Sequence, residues 1–231
     1  MSPRIISHRG KIDLGSSENN LKAIQQAIEL GIDMVEFDIR KTSDDVLVCY
    51  HDAKVNGILV SDVSFNSLKD FNKEICRLEE VITLCKGKTG VNLEIKEEGF
   101  EARVVDMLTT NFSYEETFVT SFLPSVIRKV KILDHKITTG LLLGDAMNFK
   151  TFYRVIKEAI SMEEYHHSKA DFISPYYKIY EIGLMRNFQK LGIPIQLWTV
   201  NDLDFLKDLI NSNIHSIVTD VSDKLFKELK N

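Results

Sequence analysis

Eight short apolar runs, separated by segments of helical spacing, constrain the fold of this chain more than any other feature. The pattern predicts strands at Arg4–His8, Met34–Ile39, Gly90–Lys96, Thr117–Ser121, Ile137–Leu143, Asp171–Ser174, Ile193–Thr199 and His215–Thr219. Helical stripes lie between them. Leu21, Ile24, Ala27 and Ile28 form one, with Gly31 as its C-cap. Val104, Val105 and Leu108 form a second, and Ile182, Met185, Phe188 and Leu191 a third ahead of Gly192. Leu203, Leu206 and Ile210 form a fourth with Asn201 as its N-cap, and a short helix over Lys224–Leu229 closes the chain. This alternation fits an α/β fold, either a (β/α)8 TIM barrel or a doubly wound open sheet. Eight units in 231 residues is the arithmetic of the barrel. An open sheet that bound a dinucleotide would carry a Gly-rich turn after its first strand. His8-Arg9-Gly10 followed by Gly15 is not that turn, so the reading is one barrel domain over residues 1–231.

One segment departs from the pattern. Ser43-Asp44-Asp45 is a turn signal, and Val46–Tyr50 behind it is strand-like with no room for a helix between. The expectation is a β-hairpin extension of strand two that returns His51-Asp52 to the barrel mouth. Residues 53–70 read as loop and short helix.

Composition narrows the function classes. A hydrophobic content of 44% supports a sizeable core. The net charge of −5 and a pI near 5.7 argue against a nucleic-acid face. Cys49, Cys76 and Cys85 have no CxxC spacing, which points away from a disulfide framework and toward a reducing compartment. The N-terminus enters a strand without a basic and apolar leader pattern. No run approaches the ~18 apolar residues of a membrane span. A cytoplasmic protein with no stable membrane insertion is expected.

The residues able to do chemistry gather at strand C-terminal ends: His8, then Glu36 and Asp38, then Glu94 and Lys96, and later Trp198. This is the end of a (β/α)8 barrel that carries active sites. Residues two apart on a strand share a face. Val35, Phe37 and Ile39 take the helix-facing side, so Glu36 and Asp38 point inward, where an uncompensated carboxylate pair is costly. With Glu94 they offer hard oxygen ligands for a divalent cation, Mg²⁺ or Ca²⁺. His8 and His51 beside them supply a general acid and a general base. The combination suggests metal-assisted cleavage of a phosphate ester. Plainer readings stand beside this one. Glu94 and Lys96 can form a simple ion pair, Arg9 can pair with Glu18, and Trp198 can be core packing. Asp52 either orients His51 or caps the next turn. His135, His166, His167 and His215 lack motif context, and the His166-His167 pair reads as surface.

In their order these residues closely resemble the glycerophosphodiester phosphodiesterase family. Its pattern is HRG, ENT, E-x-D, T-x-D, HD and E-x-K. The chain offers His8-Arg9-Gly10, Glu18-Asn19, Glu36-x-Asp38, Thr42-x-Asp44, His51-Asp52 and Glu94-x-Lys96. Phe172–Pro175, Leu197–Asn201 and Thr219-Asp220 continue the likeness to the C-terminus. The resemblance implies a metal-dependent TIM barrel that hydrolyses a glycerophosphodiester to glycerol 3-phosphate and an alcohol. It implies Glu36, Asp38 and Glu94 as metal ligands and His8 and His51 as the acid–base pair. Arg9 and Lys96 would contact phosphate. Read from the residues themselves, Trp198 is a candidate wall for the substrate, and Glu18, Asn19 and Asp52 are candidate supports behind these groups. Three departures stand out: Asn20 in place of the Thr of ENT, Ser222 where a Pro is usual, and a shortened capping insertion after His51. The last bears on substrate choice. A lysophospholipase D or sphingomyelinase D type of lipid phosphodiesterase is the near alternative, and a non-catalytic barrel binding a phosphorylated ligand is the distant one.

Overall fold

The computed structural model describes residues 2–144 and 149–229. Eight parallel strands form the barrel: β1 (Arg4–Ser7), β2 (Met34–Lys41), β6 (Gly90–Ile95), β7 (Thr117–Ser121), β8 (Thr138–Leu143), β9 (Phe172–Pro175), β10 (Gln196–Leu197) and β11 (Ser216–Thr219). Hydrogen bonding runs in the order β10-β11-β1-β2-β6-β7-β8-β9. Parallel bridges Ile173–Ile195 and Tyr176–Trp198 bring β9 against β10 and nearly close the ring. Helices α1 (Leu21–Leu30), α3 (Leu78–Cys85), α4 (Glu101–Asn111), α5 (Pro124–Leu133), α6 (Phe149–Ser161), α10 (Leu203–Ile210) and α11 (Ser222–Leu229) alternate with the strands. No described helix is long and apolar enough to cross a membrane.

Alternation along the strands separates core from interior. Val35, Phe37 and Ile39 pack outward with Ile24 and Ala27 of α1 and Val81 and Ile82 of α3. Ile6, Met34, Phe118, Phe172 and Val218 fill the barrel interior, with Trp198 packed on them. Gly140 makes room for that filling, because a Cβ there would lie 2.0 Å from the Phe172 ring.

The hairpin after β2 is present. β3 (Leu47–Cys49) pairs antiparallel with Ile39–Lys41. The Thr42 hydroxyl donates to Asp44 Oδ1 at 2.6 Å, and Asp44 accepts from Phe65 N, so Thr42-x-Asp44 builds the turn. Tyr50 N donates to the Asp38 carbonyl and sets His51 at the mouth. The capping segment folds as a small hairpin of β4 (Lys54–Val55) and β5 (Ile58–Leu59) followed by α2 (Phe65–Phe71). Val48, Val55, Val60, Phe65, Leu68 and Ile75 give it a small core of its own.

Beyond shifts of one or two residues at other element ends, four details differ from the sequence expectation. Strand seven shrinks to Gln196–Leu197, and strand one stops at Ser7, leaving His8 in a 3-10 turn. The stripe Ile182–Leu191 is not one helix. It is interrupted by Gly183 at φ 76° between α8 (Tyr177–Glu181) and α9 (Arg186–Lys190). Met185 and Phe188 are buried while Ile182 and Leu191 are exposed, so the three-residue repeat mixed two faces. Asp202, not Asn201, caps α10, accepting from Phe205 N. A further short helix, α7 (Glu163–Ser168), carries the exposed His166 and His167.

Candidate active site

The turn after β1 is shaped by its glycine. Gly10 has φ 77°, and a Cβ on it would lie 2.9 Å from Ile24 N, so α1 packs on the turn only because the position is glycine. Arg9 also adopts the left-handed region, at φ 55°. That conformation turns the Arg9 amide toward Glu36, whose Oε2 accepts it at 2.9 Å. Backbone strain of this kind persists where the surroundings fix it, often at functional sites.

Glu36 and Asp38 of β2 and Glu94 of β6 converge as their register dictates, since Asp38 lies directly beside Glu94. One ligand-capable oxygen from each falls within 4.8 Å of the others, and all three residues are buried. Around them stand two cations. Lys96 Nζ lies 2.9 Å from Asp38 Oδ1 and 2.5 Å from Glu94 Oε1. Arg9 Nε lies 3.2 Å from Asp38 Oδ2, and its Nη1 donates to Glu18 Oε1 at 2.7 Å. Neither Glu94 Oε1 nor Arg9 Nε is met along a hydrogen-bond direction, despite these close charges. Asn19 fixes Asp38 twice, donating from Nδ2 to Oδ2 at 2.8 Å and accepting the Asp38 amide on Oδ1 at 3.1 Å. Asn20, at the position of the Thr in the ENT pattern, caps α1 by accepting from Ala23 N.

The electrostatics follow from this crowding. Burial, then the neighbouring Asp38 and Glu94 carboxylates, pushes Glu36 well above the usual carboxylate range against the pull of Arg9. Burial raises Glu94 to about 7, with Lys96 opposing and Asp38 adding to the rise. Burial would raise Asp38 too, but Lys96, Arg9 and His51 outweigh it and hold its carboxyl well below the usual range. Without a further cation, then, the crowding disfavours ionisation of Glu36 and Glu94. The donor set fits a hard divalent cation: three convergent carboxylates, one of them with an oxygen lacking an aligned donor.

Each histidine at this end of the barrel rests on a carboxylate, and His51 is near enough for its charge to act on Asp38. His8 Nδ1 lies 2.8 Å from Asp220 Oδ1, and His51 Nδ1 lies 2.8 Å from Asp52 Oδ1. Burial and the charge of Lys96 lower the His51 pKa, with Asp38 opposing. Arg40 Nε donates to the His51 carbonyl at 2.9 Å and steadies its loop. Trp198 borders the cluster through Phe122: the rings meet edge to face at 5.5 Å, and Lys96 Nζ lies 5.9 Å from the Phe122 centroid. Its indole N–H donates to Ser174 O at 2.8 Å. A hollow of about 180 Å³ opens beside Glu18, Asn19 and His51 under the capping segment. A larger one of about 650 Å³ lies at the opposite end of the barrel, around Arg4 and His215, away from these groups.

The residues singled out from the sequence therefore meet at one end of the barrel. Asp220, Lys11, Asn201, Arg40 and Phe122 join them without having been assigned a role there. Asn201 and Asp220 fall within the Leu197–Asn201 and Thr219-Asp220 segments; their partnership lies in the pairing of distant strands, which spacing does not reveal.

Comparison with known proteins bears on the family and the fold. A glycerophosphodiester phosphodiesterase of Caldanaerobacter subterraneus is 27% identical, over 97% of each chain. The structure of a Thermotoga maritima glycerophosphodiester phosphodiesterase superposes with a TM-score of 0.76 at 24% identity, covering 99% of each chain. An Oleispira antarctica phosphodiesterase, solved in complex with the product sn-glycerol-3-phosphate, superposes at 0.80 and 20% identity, over 100% of this chain and 98% of that one. Residues 8–224 match the sequence pattern of the glycerophosphoryl diester phosphodiesterase family, and the chain belongs to that family.

Proposed function

We propose that this protein hydrolyses glycerophosphodiesters to glycerol 3-phosphate and an alcohol, with Glu36, Asp38 and Glu94 holding a divalent metal ion and His8 and His51 moving the protons. The observation that carries this reading is the convergence of three buried carboxylates with two carboxylate-supported histidines at the catalytic end of the barrel. A bound Mg²⁺ or Ca²⁺ would supply charge neutralisation at the phosphate and acidify a coordinated hydroxyl. Lys96 and Arg9 add two positive charges beside the same spot and favour an anionic phosphodiester over a neutral ester. With each Nδ1 engaged by a carboxylate, each histidine has Nε2 left for the reacting group. One imidazole takes the proton of the attacking hydroxyl, and the other returns one to the leaving alkoxide. Phe122 and Trp198 wall the side toward β7 and β10 and offer apolar faces to the carbon skeleton of the substrate. Binding alone needs no matched acid and base, so the pair of supported imidazoles favours catalysis over a barrel that only binds a phosphorylated ligand.

The test is product analysis with glycerophosphoethanolamine and glycerophosphocholine as substrates. Release of glycerol 3-phosphate with free ethanolamine or choline supports the reading. Release of a phosphorylated headgroup contradicts it by placing the cut on the other side of phosphorus. Binding of either diester without any release favours the ligand-binding alternative.

A further inference from the structure

The two histidines have matching carboxylate contacts and unlike surroundings. The Asp52 side chain is 70% exposed, and its carboxylate makes no second hydrogen bond among the described residues. The Asp220 side chain is 11% exposed. Asn201 grips Asp220 at two points: its Nδ2 donates to Asp220 Oδ2 at 2.7 Å, and its Oδ1 accepts the Asp220 amide at 2.9 Å. The Thr219 hydroxyl donates to the same Asn201 Oδ1 at 3.3 Å and fixes the amide's orientation. Lys11 Nζ lies 3.4 Å from Asp220 Oδ1 and keeps a positive charge against the carboxylate.

Strand order explains the assembly. β11 lies between β10 and β1, and Ser7 is in register with Thr219. The residue after β1 therefore meets the residue after β11, and Asn201, beyond β10, reaches across from the other side. Two segments at the far end of the chain thus act on the first histidine.

We propose that Asp220, clamped by Asn201, is the positioning residue of His8: it makes Nδ1 the proton-bearing nitrogen and turns Nε2 to the reacting group, whereas Asp52 does much less for His51. The inference rests on the two-histidine reading of the site. An ionised carboxylate only accepts, so Nδ1 must carry the hydrogen while Asp220 stays ionised. Contacts with His8, Asn201 and Lys11 outweigh burial and hold the Asp220 carboxyl down at about 2. Exposed pairs such as His51–Asp52 are weakened by solvent and by the entropy of fixing mobile groups.

The experiment compares Asp220→Asn, Asp220→Glu, Asn201→Ala and Asp52→Asn by imidazole ¹⁵N NMR, by kcat and KM on glycerophosphoethanolamine, and by melting temperature. In Asp220→Asn the new amide has one acceptor oxygen for the three groups that share the carboxylate, Asn201 Nδ2, His8 Nδ1 and Lys11 Nζ. With Asn201 holding that acceptor, the His8 proton moves to Nε2. The His8 Nδ1 resonance should lose its protonated signature, and kcat should fall by about 10²–10⁴-fold with KM little changed. Asp220→Glu should recover part of kcat, and Asn201→Ala should leave His8 in mixed tautomers with an intermediate loss. Asp52→Asn should lose less than Asp220→Asn by tenfold or more. An unaltered His8 tautomer in Asp220→Asn, or in Asn201→Ala should the former not fold, overturns the proposal. So does an equal loss in Asp52→Asn. A melting temperature that falls in Asp220→Asn with kcat and tautomer unchanged marks Asp220 as structural and overturns it too. The NMR arm needs no turnover, so it decides even if the diesters are not substrates.

Discussion

At the scale of single residues, the site is a problem of charge. Asp38 sits between Lys96 and Arg9, and Glu36 and Glu94 share what is left. Lys96 is the pivot, because its ammonium touches two carboxylates and is itself held charged: burial would lower its pKa, but Glu94 and Asp38 raise it. Lys96→Ala should lower turnover by about 10²–10³-fold, the scale of losing one preorganised charge donor. Lys96→Arg should not fully restore it, since a planar, longer guanidinium presents its charge elsewhere. Steady-state kinetics with a thermal melt checks this. Near-normal turnover with a large drop in melting temperature would make Lys96 only the structural partner of Glu94. Much of this charge pattern was legible in the sequence, because residues two apart on one strand must share a face. The Asn19 clamp on Asp38 was visible only as a motif position, since its geometry depends on Asn19 adopting φ 52°.

At the scale of elements, strands with a strong apolar run were legible almost to the residue. Thr117–Ser121 coincides with expectation, and Gly31 caps α1 in the left-handed region as its position suggested. The departures have separate causes. Asn201 looked like an N-cap because asparagine caps helices, but its amide is committed to Asp220 and the next residue takes the cap. The Ile182–Leu191 stripe looked like one helix because periodicity ignores Gly183. Gly10 shows the opposite situation, a single residue on which an element junction depends. Gly10→Ala should destabilise the fold by about 1–3 kcal/mol, combining a left-handed backbone with a Cβ driven against α1. Chemical denaturation measures it directly. An unchanged midpoint would mean that the β1–α1 junction shifts without strain.

At the scale of the whole molecule, the barrel brings together residues from positions 8 to 220 and, in doing so, buries carboxylates that repel one another. That repulsion has a signed consequence. Glu94 and Glu36 bind protons more tightly folded than unfolded, so their contribution to stability is complete below the unfolded value near 4.5 and is lost as pH rises through about 7 for Glu94. Metal-free protein should therefore lose stability from this source across pH 5 to 8. Because ligand carboxylates must be deprotonated, saturating Mg²⁺ or Ca²⁺ should raise the melting temperature more at pH 8 than at pH 5.5. A larger effect at pH 5.5 would contradict the assignment of these residues as ligands. If Glu36, Asp38 and Glu94 hold the metal ion of the proposed reaction, phosphodiester cleavage depends on that ion. The most direct measurement is glycerol 3-phosphate release before and after exhaustive chelation and dialysis, followed by titration with Mg²⁺ and Ca²⁺, in the wild type and in Glu36→Gln. Chelation should abolish release, one of the two ions should restore it, and Glu36→Gln should need far more of that ion. Full turnover by the chelated, dialysed enzyme would contradict that dependence.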